Sequence, residues 1–158
     1  MSKSPLPLRV TKAPNKTPYM AVGRLLRDAH AIYSRFFTLE LAQLGVSFGE
    51  FQHLQYLWDA DGITQVELAA RIGITPATST ANLMSLEQKK LIRRVRNDED
   101  RRKVNVFLTK SGFATKDKLV KCVSDTNARA RRGMDEKQVR ALFETLALLM
   151  ENFESDND

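Results

Sequence analysis

Thr64-Gln65-Val66-Glu67-Leu68-Ala69-Ala70-Arg71-Ile72-Gly73-Ile74-Thr75-Pro76-Ala77-Thr78-Ser79-Thr80-Ala81-Asn82 opens a stretch, running on to Thr109, that reads as two short helices followed by a charged hairpin. Thr64 to Glu67 has the form of a capping box, a Thr that accepts an amide hydrogen three residues on and a Glu that reaches back. A helix is therefore expected to start there. Val66, Leu68, Ala69 and Ile72 keep the helical period, and Gly73 can take the left-handed conformation that ends a helix in a tight turn. Thr75 is a good N-cap. Pro76 sits at the first helical position, whose N–H has no partner inside the helix. The second helix thus opens within a few residues of the first, which is a helix-turn-helix spacing.

The first two turns of that second helix, Thr75 to Asn82, carry small side chains, hydroxyls and one amide. Leu83, Leu86 and Leu91 supply its core-facing stripe. A small polar face suits close approach to a major groove, where Ser, Thr and Asn meet base edges and phosphates, although Ser and Thr are also ordinary at helix starts. The segment that follows favours the groove. Ile92 to Arg96 and Lys103 to Leu108 have strand composition, with Val104, Val106 and Leu108 on one face. Between them lies Asn97-Asp98-Glu99-Asp100-Arg101-Arg102. Asp98 or Asp100 is placed to orient an Arg through a bidentate pair while a guanidinium enters a minor groove. Gln65, Thr75, Pro76, Ala77, Thr78, Thr80, Asn82, Ser85, Arg93, Arg94, Asp98, Asp100, Arg101, Arg102 and Lys103 are the candidate DNA contacts.

These residues carry a resemblance. Ile63 to Ala69, Ile74 to Thr78, Leu86 to Ile92, and Asn97 to Arg102 through Leu108-Thr109 look like the MarR family of bacterial regulators, at matching spacing. The resemblance extends more weakly from about Tyr19 to about Phe153. It implies a mainly α fold with a small β wing, in which N- and C-terminal helices join two copies and each winged helix-turn-helix lobe reads half of a pseudo-palindromic operator. It also implies repression relieved by a small ligand or an oxidant. The sequence departs from the pattern in places. Ala81 stands where an Arg is frequent, Ser79 and Asn82 occupy positions that are often apolar, and Lys90 replaces the usual Gly after the recognition helix. A side chain in the left-handed region there costs about 1 kcal/mol.

Composition agrees with a compact protein that meets a polyanion. The chain has 158 residues, one domain by length, and a net charge of +6. A single Cys excludes an intramolecular disulfide, and no apolar run is long enough for a membrane helix or signal peptide, so the cytoplasm is the expected compartment. Residues 1–18 read as a flexible basic arm rich in Pro, with Lys3, Arg9, Lys12 and Lys16 and no acid. Residues 19–153 read as the folded region, with 19–46 and 110–153 as dimerisation helices and 47–109 as the DNA-binding lobe. Residues 154–158 form an acidic tail.

Helical periodicity runs from Met20 to Leu44, ended by Gly45, and from Ser47 to about Ala60, ended by Asp61-Gly62. One long helix is expected after Thr109, closed by Arg129, Arg131, Arg132 and Gly133. A last helix opens at Asp135 and Gln138 and bears Val139, Leu142, Phe143, Leu146, Leu149, Met150 and Phe153. The terminal helices carry more apolar surface than one chain covers, which two copies solve by covering each other. A dimer would hold its recognition helices about 34 Å apart, so the operator is expected to be an inverted repeat of about 20 base pairs.

The family places its effector crevice along the first two helices and the start of the fifth. Here that gives Arg24, Arg27, His30, Tyr33, His53 and Tyr56, a set that suits a small aromatic carboxylate, with a charge-assisted clamp at one end and ring contacts at the other. Control of aromatic-compound catabolism or efflux genes would follow. Cys122 lies far from the family's reactive thiol position, and a packed thiol is the simpler reading. No Gly-rich phosphate loop, metal-ligand spacing or nucleophile–base pair suggests an enzyme, a metal or a cofactor. The competing reading is a winged helix that coats DNA without sequence preference or serves as a protein scaffold.

Overall fold

The computed structural model describes residues 21–154. The expected basic arm and residues 155–158 of the acidic tail lie outside them. The elements are α1 (Ala21–Gln43), α2 (Phe48–Asp59), α3 (Gln65–Ile72), α4 (Pro76–Gln88), β1 (Ile92–Arg96), β2 (Val104–Leu108), α5 (Lys110–Ala114), α6 (Lys116–Ala130) and α7 (Glu136–Glu154). The fold is mainly helical with a small two-stranded wing, as the sequence predicts. The described residues divide into two units, one ending at Arg35 and the other beginning at Phe36.

Each helix boundary in the second unit has a local cause. Ser47 caps α2: its hydroxyl accepts from Glu50 N at 3.2 Å while the Glu50 carboxylate accepts from Ser47 N at 2.6 Å. Thr64 accepts from Glu67 N at 3.2 Å and starts α3, but only this half of the expected box forms, because the Glu67 carboxylate pairs with Arg71 at 2.6 Å. Gly73, with φ 76°, ends α3, and Thr75 restarts the chain as N-cap of α4 with Pro76 next to it. At the end of α4 the N–H of Leu91 reaches Leu86 O at 3.0 Å and that of Lys90 reaches Glu87 O at 2.9 Å. This is a Schellman closure with Lys90 at the left-handed position, φ 58°.

β1 and β2 pair antiparallel from Ile92 opposite Leu108 to Arg96 opposite Val104. The strip before α3 adds to β2: Gly62 N donates to Val106 O, Val106 N to Ile63 O, and Thr64 bridges Asn105. Gly62 is needed twice over, for its φ of 84° and because a Cβ there would lie 2.7 Å from the Phe107 ring. The expected single helix after Thr109 is instead two segments. Thr115 N bonds the carbonyl of Gly112, three residues back, and its hydroxyl donates to the same oxygen at 2.6 Å, so the helix tightens for one turn between α5 and α6.

The core of this unit draws on the end of α1, on α2, α3, α4, both strands and α6: Phe37, Leu41, Val46, Phe51, Leu54, Leu57, Leu68, Leu83, Leu86, Ile92, Val106, Leu108 and Leu119 are buried. Phe37, Phe48, Phe51 and Trp58 meet edge to face. α7 stands apart in character. None of its residues is buried, and Phe143, Leu148, Met150 and Phe153 are more than half exposed. In the first unit, the described part of α1 likewise exposes Val22, Leu25, Leu26 and Ile32. No helix among the described residues is long and apolar enough to cross a membrane.

Candidate nucleic-acid interface

α4 presents one face of small side chains and keeps the other for packing. Thr75, Pro76, Ala77, Thr78, Thr80 and Ala81 are exposed, whereas Ser79, Leu83 and Leu86 are buried. Thr75 and Thr78 share a hydroxyl contact of 2.9 Å, and Thr80 Oγ1 donates to Pro76 O at 2.9 Å. Their hydroxyls are therefore held along the helix. Met84 is also exposed on this helix.

Two expected contacts belong elsewhere. Asn82 turns to α2: a Cβ on Gly49 would lie 2.7 Å from the Asn82 amide. Ser85 is half-buried, and its hydroxyl donates to the carboxylate of Glu50. Both sit on the α2 side of α4, together with Ser79, so the packing face of the helix is polar where an apolar seam is usual. Composition does not distinguish the two faces of such a helix.

The wing is built around Asn97 and Asp100. Asn97 Oδ1 accepts from Glu99 N and Asp100 N, each at 2.9 Å, and its amide donates to Asn105 Oδ1 at 3.0 Å. Asp100 accepts from Arg102 Nε at 3.0 Å and Nη2 at 3.3 Å, and also from Arg102 N at 3.1 Å. Of the two acids proposed to orient an arginine, Asp100 makes the pair. The Arg102 guanidinium hydrogen bond holds the Asp100 carboxyl below the ordinary carboxylate range. Arg102 keeps its side chain 91% exposed while so held, which leaves it aimed outward from the loop tip. Arg101, Lys103, Asp98 and Arg96 are exposed beside it, and Arg93 lies over the Phe107 ring at 4.4 Å.

Arg94 and Gln65 take a different part from the one expected. Arg94 donates to Glu87 Oε2 from Nε at 2.9 Å and from Nη2 at 2.6 Å, its backbone N–H reaches Glu87 Oε1, and Nη1 lies 3.4 Å from Gln65 Oε1. This half-buried fork ties β1 to the end of α4 and the start of α3, so the guanidinium braces the lobe. The Arg94 hydrogen bond also lowers the Glu87 pKa.

The six effector candidates divide between the two units. In the first, Arg24 and Arg27 are exposed and pair with Asp28, His30 Nε2 lies 3.1 Å from Ser34 Oγ, and Tyr33 is half-buried. In the second, Tyr56 is half-buried, but His53 is fully enclosed with both ring nitrogens occupied, Nδ1 at 2.6 Å from Gly49 O and Nε2 at 3.0 Å from Ser79 Oγ. It has no edge left for a ligand. Trp58 has a buried Nε1–H with no acceptor among the described residues, and the Lys116 ammonium lies 5.8 Å above its ring. A cavity of about 450 Å³ in the second unit lies between α1 and α6 and is lined by none of the six candidates. Cys122 is on its wall, with its thiol pKa pushed up by burial and the nearby Glu40. Among the described residues no cluster of His, Cys, Asp and Glu could hold a metal.

Comparison with known proteins agrees with this geometry. The family model "MarR family" matches residues 46–104, from the start of α2 into the wing. The chain is 32% identical over 119 residues to the HTH-type transcriptional regulator TtmR of Methylorubrum extorquens, covering 75% of this chain and 60% of that protein. It is 28% identical over 162 residues to the HTH-type transcriptional repressor NicR of Pseudomonas putida, spanning 100% of this chain and 99% of NicR. Among solved structures, a mutant MarR of E. coli complexed with operator DNA superposes with a TM-score of 0.73 at 25% identity, covering 82% of this chain and 94% of that one. Bordetella bronchiseptica BpsR, from a study of how 6-hydroxynicotinic acid regulates its DNA binding, gives 0.72 at 25% identity, covering 82% and 98%. By its family model, its relatives and its winged-helix geometry, the chain belongs to the MarR family of non-enzymatic, DNA-binding transcriptional regulators.

Proposed function

We propose that the protein is a homodimeric, cytoplasmic repressor that binds a pseudo-palindromic operator and is released by a small aromatic carboxylate, with genes for aromatic-compound catabolism or efflux as its targets. The observation that carries the DNA reading is the pairing of an exposed small-residue face on α4 with an Arg102 held outward by Asp100. The helix face suits base edges in a major groove, and the guanidinium suits the adjacent minor groove. Thr75, Pro76, Ala77, Thr78 and Thr80 are the proposed groove contacts, with Arg93, Arg101, Arg102 and Lys103 on the wing. NicR is named a repressor, and a MarR structure contains operator DNA, which supports the same role here.

The dimer is supported by α7, where no residue is buried among the described residues and Phe143, Leu148 and Met150 are more than half exposed. An obligate interface is the ordinary use of such a face. The acid is supported by BpsR, whose DNA binding is regulated by an aromatic carboxylate. Arg24, Arg27, His30 and Tyr33 in the first unit are proposed contacts, and Tyr56 in the second is proposed separately. His53 is left out because its ring is fully engaged.

The test is a fluorescence-anisotropy titration of the protein against duplex DNA from upstream of its own gene, at fixed salt, with and without a panel of benzoic and pyridine carboxylic acids. A preference of roughly a thousandfold over scrambled duplex, reduced by one acid, is expected. Equal binding to every duplex, indifferent to acids, would replace the repressor with a DNA-coating protein.

A further inference from the structure

The packing seam between α2 and α4 is polar at four successive points of α4, namely Ser79, Asn82, Ser85 and Lys89. Lys89 Nζ reaches both oxygens of the buried Glu50 at 2.7 Å and Gly45 O at 2.9 Å, which ties the last turn of α4 to the turn before α2. Ser85 adds a second donor to the same carboxylate. At the other end, His53 and Ser79 are 0% and 1% exposed and meet at 3.0 Å.

The direction of that last contact is fixed by chemistry. Gly49 O can only accept, so the 2.6 Å contact places a proton on His53 Nδ1. Burial favours the neutral ring. Nε2 is then a bare acceptor, and the Ser79 hydroxyl must donate to it. Apolar packing tolerates helix rotation because it has no direction, whereas a hydrogen bond loses its geometry within a few tenths of an ångström and a few tens of degrees. Turning α4 by about 20° moves an atom about 4 Å from its axis by about 1.4 Å, which would break the Ser79 bond.

We propose that His53 is a positioning residue for DNA recognition: through Ser79, and with Glu50–Lys89 at the far end, it sets the rotation of α4 about its own axis and so the sequence selectivity of the protein. The proposal rests on α4 being the helix that reads DNA. It gives the polar seam a purpose that stability does not require, since apolar residues of similar size fill such a space at least as well.

The experiment compares wild type, Ser79→Ala, His53→Leu and the double variant His53→Leu/Ser79→Ala. The probe is the duplex that wild-type protein enriches from a random-sequence pool, alongside the same duplex with one base pair changed in each half-site. Each single variant leaves a buried polar group unpaired and is expected to lose stability in urea. The double variant removes both partners and is expected to regain it. Selectivity, the ratio of the two Kd values, is expected to fall about tenfold in Ser79→Ala and to stay low in the double variant. Recovery of both stability and selectivity in the double variant would make the contact merely structural and overturn the proposal. Should the single variants not fold, ¹⁵N NMR of the wild type decides: a neutral His53 protonated on Nδ1 is expected, and the opposite tautomer contradicts it. A wild type that enriches no sequence would instead remove the reading of α4 itself, while the tautomer could still be observed.

Discussion

The winged lobe and the last helix of this chain solve opposite problems. In the lobe, Leu54, Leu57, Leu68, Leu83 and Leu86 are each 0% exposed, and polar braces such as Arg94–Glu87 and Glu50–Lys89 close its seams. α7, of 19 residues, buries none of them and leaves Phe143 and Met150 more than half exposed. One region completes its core alone; the other has the composition of half an interface. On the proposed reading, the contrast separates folding a reading head, which one copy does, from holding two heads at a set spacing, which takes a second copy.

The largest effect should come from breaking the self-sufficient side. Leu86→Ala opens a cavity beneath α4 and is expected to cost about 2–5 kcal/mol in urea denaturation of the lobe. On the dependent side, Phe143→Asp should leave lobe stability unchanged yet weaken self-association by about 2–4 kcal/mol, read by sedimentation equilibrium. A lobe that unfolds with it would erase the contrast.

Glu50 sharpens the comparison by pH. Burial alone would raise its pKa, but hydrogen bonds from Lys89, Ser47 N and Ser85 outweigh burial and hold it below 4.5. A depressed carboxyl stabilises the fold above its unfolded pKa, and that stabilisation is lost as pH falls through the folded value. The lobe should therefore weaken below about pH 4.5, and Glu50→Gln, costing roughly 1.5–3 kcal/mol at neutral pH, should flatten that slope. Arg102→Ala is expected to weaken operator binding by about 1–2 kcal/mol with no change in urea midpoint, because the side chain touches only the exposed edge of the wing. The smallest effect is Lys90→Gly, which relieves a φ of 58° and should raise stability by up to about 1 kcal/mol.

Much of the lobe was legible because its punctuation is local. Thr64, Gly73, Thr75 and Pro76 act within one turn of chain, and even the strained Lys90 follows from where a helix must stop. The capping box at Ser47 and Glu50 is equally legible, as a Ser followed three residues on by Glu. The facing of α4 was not legible. Its small polar residues lie on both sides, so periodicity cannot tell Thr80, which faces out, from Ser79 and Asn82, which face α2. Arg94 failed for a related reason: its partner Glu87 is on another element, and sequence spacing does not show a contact across elements. His53 needed the same tertiary information.

The most direct measurement is a hydroxyl-radical footprint of the protein on the duplex it selects, at concentrations bracketing self-association. Two protected patches, about one helical turn apart on one face of the DNA and lost together in Phe143→Asp, are predicted. Uniform protection that spreads along any duplex would contradict the account of two heads held at a fixed spacing.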